Sequence, residues 1–150
     1  NIDRMIVNID KVITQLKEHL PVVSEWSIQV MTHDSLRSPC TLAAELYNTD
    51  VLLTAHGFQS MLLLFLPRPS LLFEVYPYRY FKPAYGPLST EYGILHGRVM
   101  SPPQSFWNAF LLKGITTATC MTTLTCREFA RSDNVELTEK GMVQLKSDIL

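Results

Sequence analysis

The fold is decided by residues 50–76, which read DVLLTAHGFQSMLLLFLPRPSLLFEVY. The first and last segments of this stretch, 50–56 and 71–76, are apolar on both alternating faces, as parallel strands buried between helices are. The hydrophobic block 58–66 predicts a short helix, and the prolines after it predict a break. The succession of strand, helix and strand favours an α/β fold with a parallel sheet and right-handed crossovers.

Three residues of this stretch are candidates for a ligand site. His56 and Gly57 directly follow the first apolar run, and Glu74 is a lone carboxylate in the second strand. Open α/β sheets bind ligands at the carboxyl ends of their strands. A buried carboxylate must be paired or lie at a polar strand end, so Glu74 is expected either to bind ribose hydroxyls or to form a structural salt bridge. The pattern predicts a nucleotide-binding half-site.

Other helices and strands are predicted on both sides of this stretch. Asn8 is a candidate N-cap for an amphipathic helix that ends before Pro21. Ser38 followed by Pro39 is typical of the start of a second helix. The remaining predicted elements are strands at 26–31 and 94–99 and helices at 106–112 and 138–150.

The second half of the chain is expected to be richer in loops, from about residue 77 to residue 150, with a helix at its end. The threonine-rich stretch 116–125 fits no element clearly. Aromatic residues crowd the first of these loops, where they either pack on the domain or stack on a base or sugar. They are Tyr78, Tyr80, Phe81, Tyr85 and Tyr92, with Arg79 and Lys82 among them.

Composition indicates one ordinary domain over residues 1–150. Of these residues, 47% are hydrophobic and 18% are charged, which is enough apolar content for one core. The net charge is -1 with no run of either sign, which argues against a broad electrostatic surface for nucleic acid or anionic lipid. The longest apolar run, 61–66, is far shorter than the roughly 20 residues of a membrane span. Since the chain begins with Asn1, we expect it to be part of a longer protein.

Cysteine spacing leaves the redox compartment open. The chain has Cys40, Cys120 and Cys126 but no Cys-x-x-Cys pair, so a structural metal site is not expected. Cys120 and Cys126 can form a disulfide or remain free thiols. No Asp-x-Asp motif is present either, so the sequence indicates no requirement for a metal.

Several short motifs, taken in order, resemble one enzyme family. They are Arg4-x-Ile6-x-Asn8, Asp50-Val51-Leu52-Leu53 with His56-Gly57, Phe65-Leu66-Pro67, and Phe73-Glu74-Val75-Tyr76-Pro77. Together they resemble the carboxyl-terminal part of the eukaryotic family-61 glycosyltransferases, which include plant xylan arabinosyl- and xylosyltransferases and animal O-linked N-acetylglucosaminyltransferases. The resemblance runs from about residue 4 to residue 85 and more weakly to residue 94.

The resemblance implies a Rossmann-like domain that forms the carboxyl-terminal half of a B-type glycosyltransferase. Such an enzyme is inverting and takes its sugar from a nucleotide donor, here UDP-linked, without a further cofactor. The acceptor, a glycan or glycoprotein, would be bound by an amino-terminal domain outside this chain, so the chain alone is expected to be inactive. By resemblance the protein would lie in the Golgi or endoplasmic reticulum lumen, with membrane contact only through an anchor outside this chain.

The resemblance also implies a set of site residues. His56 is the catalytic candidate, and the candidates for donor binding are Arg4, His56, Gly57, Gln59, Ser60 and Glu74. Arg4 would hold the diphosphate, and backbone amides of the residues after Gly57 would point at phosphate. The family turn has a small residue where this chain has Phe58, and it continues differently from Ser60 onward.

Two other functions from different classes are compatible with an α/β domain. A non-catalytic nucleotide- or partner-binding module would keep the fold without turnover, and the departures at Phe58 and Ser60 favour it. A dehydrogenase half is disfavoured, because no Gly-x-Gly-x-x-Gly motif follows any predicted strand.

Overall fold

The structure, a computed structural model, describes residues 4–20, 26–31 and 38–150. Within these ranges the fold is mixed α/β with one three-stranded parallel sheet flanked by helices. The strands, in spatial order, are β1 (Val51–Ala55), β2 (Leu71–Tyr76) and β3 (Leu95–Met100). The register aligns Thr54 with Glu74 and Glu74 with Arg98. The strands predicted at 50–56, 71–76 and 94–99 are confirmed, with shifts of one residue at their ends.

Helices connect and cover the strands. They are α1 (Ile9–His19), α2 (Pro39–Leu46), a 3₁₀ helix (Phe58–Phe65), α3 (Tyr85–Glu91), α4 (Phe106–Leu111), α5 (Thr117–Thr122), α6 (Leu124–Ala130) and α7 (Glu139–Ile149). The predicted start of α2 is confirmed, because the Ser38 hydroxyl accepts from the Thr41 amide with proline at the first helical position. The predicted helices at 106–112 and 138–150 are also confirmed. In the described part of the chain, no helix is both long and apolar enough to cross a membrane.

Two predictions about secondary structure are wrong. The segment 26–31 is not a strand, and it leaves Trp26 and Val30 exposed, because its mixed pattern is matched by no partner strand in the described sheet. The interval 77–150 is more regular than expected, since it contains the helices α3, α5 and α6 in addition to the predicted β3, α4 and α7. Threonine both caps and fills α5: the Thr116 hydroxyl accepts from the Thr119 amide.

The sheet separates two hydrophobic clusters. Side chains alternate along β2, so Phe73 and Val75 face α1 and α7, while Leu72 faces α2, the 3₁₀ helix and α3. All six residues of β2 are buried. The central strand is therefore covered on both faces, as its continuous apolar sequence predicts.

A third cluster closes the carboxyl edge of the sheet. Here Tyr76 and Tyr80 pack with residues of α5 and α6. A disulfide between Cys120 and Cys126 links those two helices, which decides between the alternatives that the sequence left open. Cys40 is a free, exposed thiol.

Asn8 joins the first described segment to the approach to α7. It occupies the N-cap position of α1, but its side chain makes no capping hydrogen bond. Instead its Nδ2 donates to the Leu137 carbonyl at 2.9 Å, and its Oδ1 accepts from the Leu137 amide at 3.1 Å. A parallel bridge between Ile6 and Val135 lies beside this pair. The Asn8 side chain therefore pairs with the backbone of Leu137 as the backbone of a neighbouring strand would.

We expect Asn8→Ala to lower the free energy of unfolding by about 2 kcal/mol, because it removes two hydrogen bonds of roughly 1 kcal/mol each. Urea denaturation followed by circular dichroism measures the change. The exposed Asn48, replaced by alanine, is the matched control and should change stability by less than about 0.5 kcal/mol. Equal effects of the two substitutions would contradict the role assigned to Asn8.

Candidate functional site

The candidate site is built around Glu74, in the middle of β2. Strand alternation places its side chain on the face that carries Leu72 and Tyr76, and the residue is fully buried. The two carboxylate oxygens are bound from both neighbouring strands. His56, just after β1, lies with Nδ1 2.7 Å from Oε1, and His96 of β3 lies with Nε2 2.8 Å from Oε2.

Two hydroxyl groups complete the hydrogen bonding of this carboxylate. The Ser60 hydroxyl, from the 3₁₀ helix, donates to Oε1 at 2.5 Å, and the Tyr76 hydroxyl donates to Oε2 at 3.1 Å. Burial by itself raises the pKa of Glu74, but the hydrogen bonds from His56, His96 and Ser60 outweigh it and lower that pKa to about 2. Glu74 is therefore an ionised carboxylate at neutral pH with four internal donors.

The carboxylate fixes the tautomers of both histidines. An ionised carboxylate only accepts hydrogen bonds, so His56 must carry a proton on Nδ1 and His96 must carry one on Nε2. For His56 this leaves Nε2 as the nitrogen that can accept or release a proton. Glu74 thus orients His56 in the way that a buried carboxylate orients a histidine base.

Aromatic rings surround the imidazole of His56. The ring stacks on Tyr76, with centroids 4.1 Å apart and planes 17° apart. Tyr80 and Tyr85 lie near it, at centroid distances of 5.7 and 5.6 Å. The His56 amide also donates to the Val75 carbonyl, which extends the pairing of β1 and β2 by one residue. The imidazole is 3% exposed and is held rigidly at the carboxyl edge.

Arg4 lies beside the glycine that follows His56. A Cβ atom added at Gly57 would lie 2.7 Å from Nη2 of Arg4. Gly57 has an extended backbone, with φ of 161°, so its lack of a side chain provides space and not an unusual conformation. The Arg4 guanidinium lies 5.8 Å from the Tyr80 ring centroid. Burial lowers the pKa of Arg4, although an arginine stays charged at neutral pH.

The guanidinium of Arg4 is not fully hydrogen-bonded within the described part of the chain. Its Nη1 is buried and has no partner there. Buried donors are nearly always paired in native proteins, so an unpaired one calls for an explanation such as a missing ligand or water. Arg4 therefore presents a positive charge with an unused donor at the carboxyl edge of the sheet.

The residues after Gly57 differ in their exposure. Gln59 donates from Nε2 to the Arg4 carbonyl at 3.4 Å and so supports the Arg4 backbone. Ser60 is buried, and its amide donates to the Gly57 carbonyl at 3.0 Å, so this amide is used within the turn. Phe58, by contrast, is 86% exposed at the start of the 3₁₀ helix. The turn is thus a supporting structure with one exposed aromatic ring.

All six residues proposed from the sequence meet in one neighbourhood: Arg4, His56, Gly57, Gln59, Ser60 and Glu74. Sequence reasoning missed His96, which binds the second carboxylate oxygen. A signal was present, because His96 is a polar residue in the predicted strand 94–99 and alternation places it on one face with position 98. Only the register shows that this face is the one that carries Glu74.

No protein-family model matches the sequence, and no curated protein gives a significant match. Among the described residues, no group of three or more histidine, cysteine, aspartate or glutamate side chains is arranged to hold a metal ion.

We expect Glu74 to make stability strongly dependent on pH under acidic conditions. Its pKa is lowered from 4.5 to about 2 on folding, so its contribution is fully present above about pH 5 and is lost as the pH falls toward 2. A lowering of the pKa by this amount corresponds to a contribution of about 3 kcal/mol to the free energy of unfolding. Between pH 6 and pH 2 the free energy of unfolding should therefore decrease less steeply for Glu74→Gln than for the wild-type chain. Chemical denaturation at each pH measures this free energy.

The exposed Glu18, replaced by glutamine, provides the matched control and should retain the wild-type pH dependence. Parallel curves for wild type and Glu74→Gln would show that the buried carboxylate is not the group that titrates.

Proposed function

We propose that this chain is the donor-binding half of an inverting glycosyltransferase of B-type architecture, and that it binds a UDP-sugar at the carboxyl edge of its sheet. The ordered motifs of the family-61 resemblance support this proposal. A parallel sheet with helices on both faces is compatible with a Rossmann-like domain.

The observation that carries the proposal is the position of Arg4. Its guanidinium lies against Gly57 at the end of β1, with a buried donor that has no partner in the described chain. Arginine recognises phosphate through several N–H groups in a fixed plane. A diphosphate beside Gly57 would take up this unused donor, and the absent side chain at Gly57 provides the space that the Arg4 guanidinium occupies.

The proposed reaction needs the charge that this edge offers. The oxygen of an acceptor hydroxyl bonds to the anomeric carbon, and the bond from that carbon to the diphosphate oxygen breaks. The electron pair leaves with UDP, and the hydroxyl proton passes to a base. Arg4 would stabilise the growing negative charge on UDP. His56 directly precedes Gly57, against which the Arg4 guanidinium lies. The base and the acceptor site are assigned to the amino-terminal domain of such an enzyme.

In the proposed site Glu74 orients His56 and does not bind the ribose. Both of its oxygens already accept two hydrogen bonds each from the chain, and the residue is fully buried. Ribose hydroxyls would have to displace these donors. The carboxylate instead holds His56 in a single tautomer beside the diphosphate position.

The disulfide supports the proposed location in the Golgi or endoplasmic reticulum lumen. Disulfides persist in oxidising compartments and are rare in the cytosol. The bond between Cys120 and Cys126 links α5 and α6 next to the edge that holds Tyr76. A luminal enzyme would retain this bond during its working life.

Binding of UDP to the chain tests the proposal, with isothermal titration as the measurement. Arg4→Met keeps the length of the side chain and removes its donors, so we expect it to weaken UDP binding by roughly tenfold or more. Gly57→Ala should weaken binding similarly, because its Cβ displaces the guanidinium. In the Arg4→Met background, Gly57→Ala should then have little further effect.

The outcomes distinguish several explanations. Additive effects of the two substitutions would mean that Gly57 acts on the ligand directly and not through Arg4. Unchanged UDP affinity in Arg4→Met would remove Arg4 from the site. No binding of UDP to the wild-type chain would overturn the proposed function. Melting temperatures of the variants separate a lost contact from a lost fold.

Turnover separates an enzyme from the second candidate, a module that binds nucleotide without reacting. The exposed Phe58, in place of a small residue, is the observation that favours the module. In the complete protein, His56→Ala should lower sugar transfer more than it lowers UDP affinity, as expected for a group that acts mainly as charge develops. Normal UDP binding by a complete wild-type protein that neither transfers nor hydrolyses the sugar would favour the module.

A further inference from the structure

A cavity of about 330 Å³ opens at the carboxyl ends of β2 and β3. This volume is at the lower end of the roughly 300–1,000 Å³ of small-ligand sites. It is lined by Tyr76, Phe81, Arg98, Val99, Met100 and Thr117. The lining is thus mostly apolar and aromatic, with one charged side chain.

Arg98 is the charged group of this cavity. Its guanidinium lies over the ring of Phe81, with Cζ 4.6 Å from the centroid. The side chain is exposed, and within the described ranges it forms no ion pair. The guanidinium therefore lies beside Phe81, with its N–H donors available at the wall of the cavity.

Tyr76 separates this cavity from the Arg4 site. Its ring stacks on the imidazole of His56. The same ring lines the cavity together with Phe81, and the two ring centroids are 5.1 Å apart. The Arg4 side chain lies against Gly57, just after β1, whereas Arg98 is a residue of β3. Two strand spacings, about 10 Å, therefore separate β1, which leads into Gly57, from β3, which carries Arg98. This is comparable to the separation of the base and the terminal phosphate in a nucleoside diphosphate.

We propose that this cavity binds the base of the nucleotide donor and that Arg98 selects uracil over cytosine. The inference rests on the proposed function, which places the diphosphate at Arg4. Arginine has donors and no acceptor, so it can bind a ring carbonyl but not an exocyclic amino group. With C4 of the base toward Arg98, uracil presents a carbonyl where cytosine presents an amino group. The aromatic rings of Tyr76 and Phe81 supply a surface on which a base can stack.

Titrations of the chain with UDP, CDP and inorganic pyrophosphate test this assignment. The wild-type chain should bind UDP at least tenfold more tightly than CDP. Arg98→Met should lower UDP affinity by roughly tenfold or more and remove most of the preference over CDP. Pyrophosphate affinity should not change, because that ligand reaches only the Arg4 site.

Arg68→Met is the matched control. Arg68 also lies over an aromatic ring, with Cζ 5.3 Å from the Tyr92 centroid, but it precedes β2 and so belongs to the opposite edge of the sheet. Its replacement should leave all three affinities unchanged. Circular dichroism on both variants checks that the fold is retained.

Two results would overturn the inference and leave the proposed function standing. The first is UDP affinity and UDP preference that survive Arg98→Met, which would place the base elsewhere. The second is an equal loss of UDP and pyrophosphate affinity in Arg98→Met, which would make Arg98 a general attractor of anions. A wild-type chain that binds neither UDP nor pyrophosphate would overturn the proposed function and this inference together.

Discussion

The arrangement of the sheet depends on the hydrogen bonding of one buried carboxylate. An ionised Glu74 in an apolar interior is costly unless its oxygens are fully bonded. Donors reach it from the end of β1, from β3, from β2 itself and from the 3₁₀ helix. The hydrophobic clusters on the two faces favour burial but tolerate small shifts of one element against another. The carboxylate does not tolerate such shifts, because a displaced strand would leave a buried charge without its hydrogen-bond partner.

The same constraint organises the carboxyl edge. Since His56 is fixed by Glu74 and stacked on Tyr76, the edge has a rigid centre with one arginine on each side. Arg4 adjoins Gly57 at β1, and Arg98 adjoins the cavity at β3. Both guanidinium groups lie near aromatic rings. An elongated anion with an apolar ring at one end matches this distribution of charge and surface better than a compact ion does.

Secondary structure could be predicted wherever the local pattern was strong. The apolar run of β2, the cap at Ser38 and the periodicity of α7 are local signals, and the structure confirms all three. The pattern at 26–31 is equally strand-like but has no partner in the described sheet, and pairing is a non-local property. Helices α3, α5 and α6 are short. The packing of α3 on one face of the sheet, and of α5 and α6 at its carboxyl edge, outweighs a weak local preference.

The sequence by itself determined that this is an α/β protein with a polar turn after β1, since apolar periodicity and the pair His56 and Gly57 are local features of the chain. It also identified Glu74 as an unusual charge within a strand, but it did not identify the group that binds this carboxylate. Only the tertiary structure decided that partner, because His56 and His96 reach the carboxylate from strands 18 and 22 residues away. Parallel register, which no local pattern encodes, places those side chains on one face and so converts three separate residues into one network.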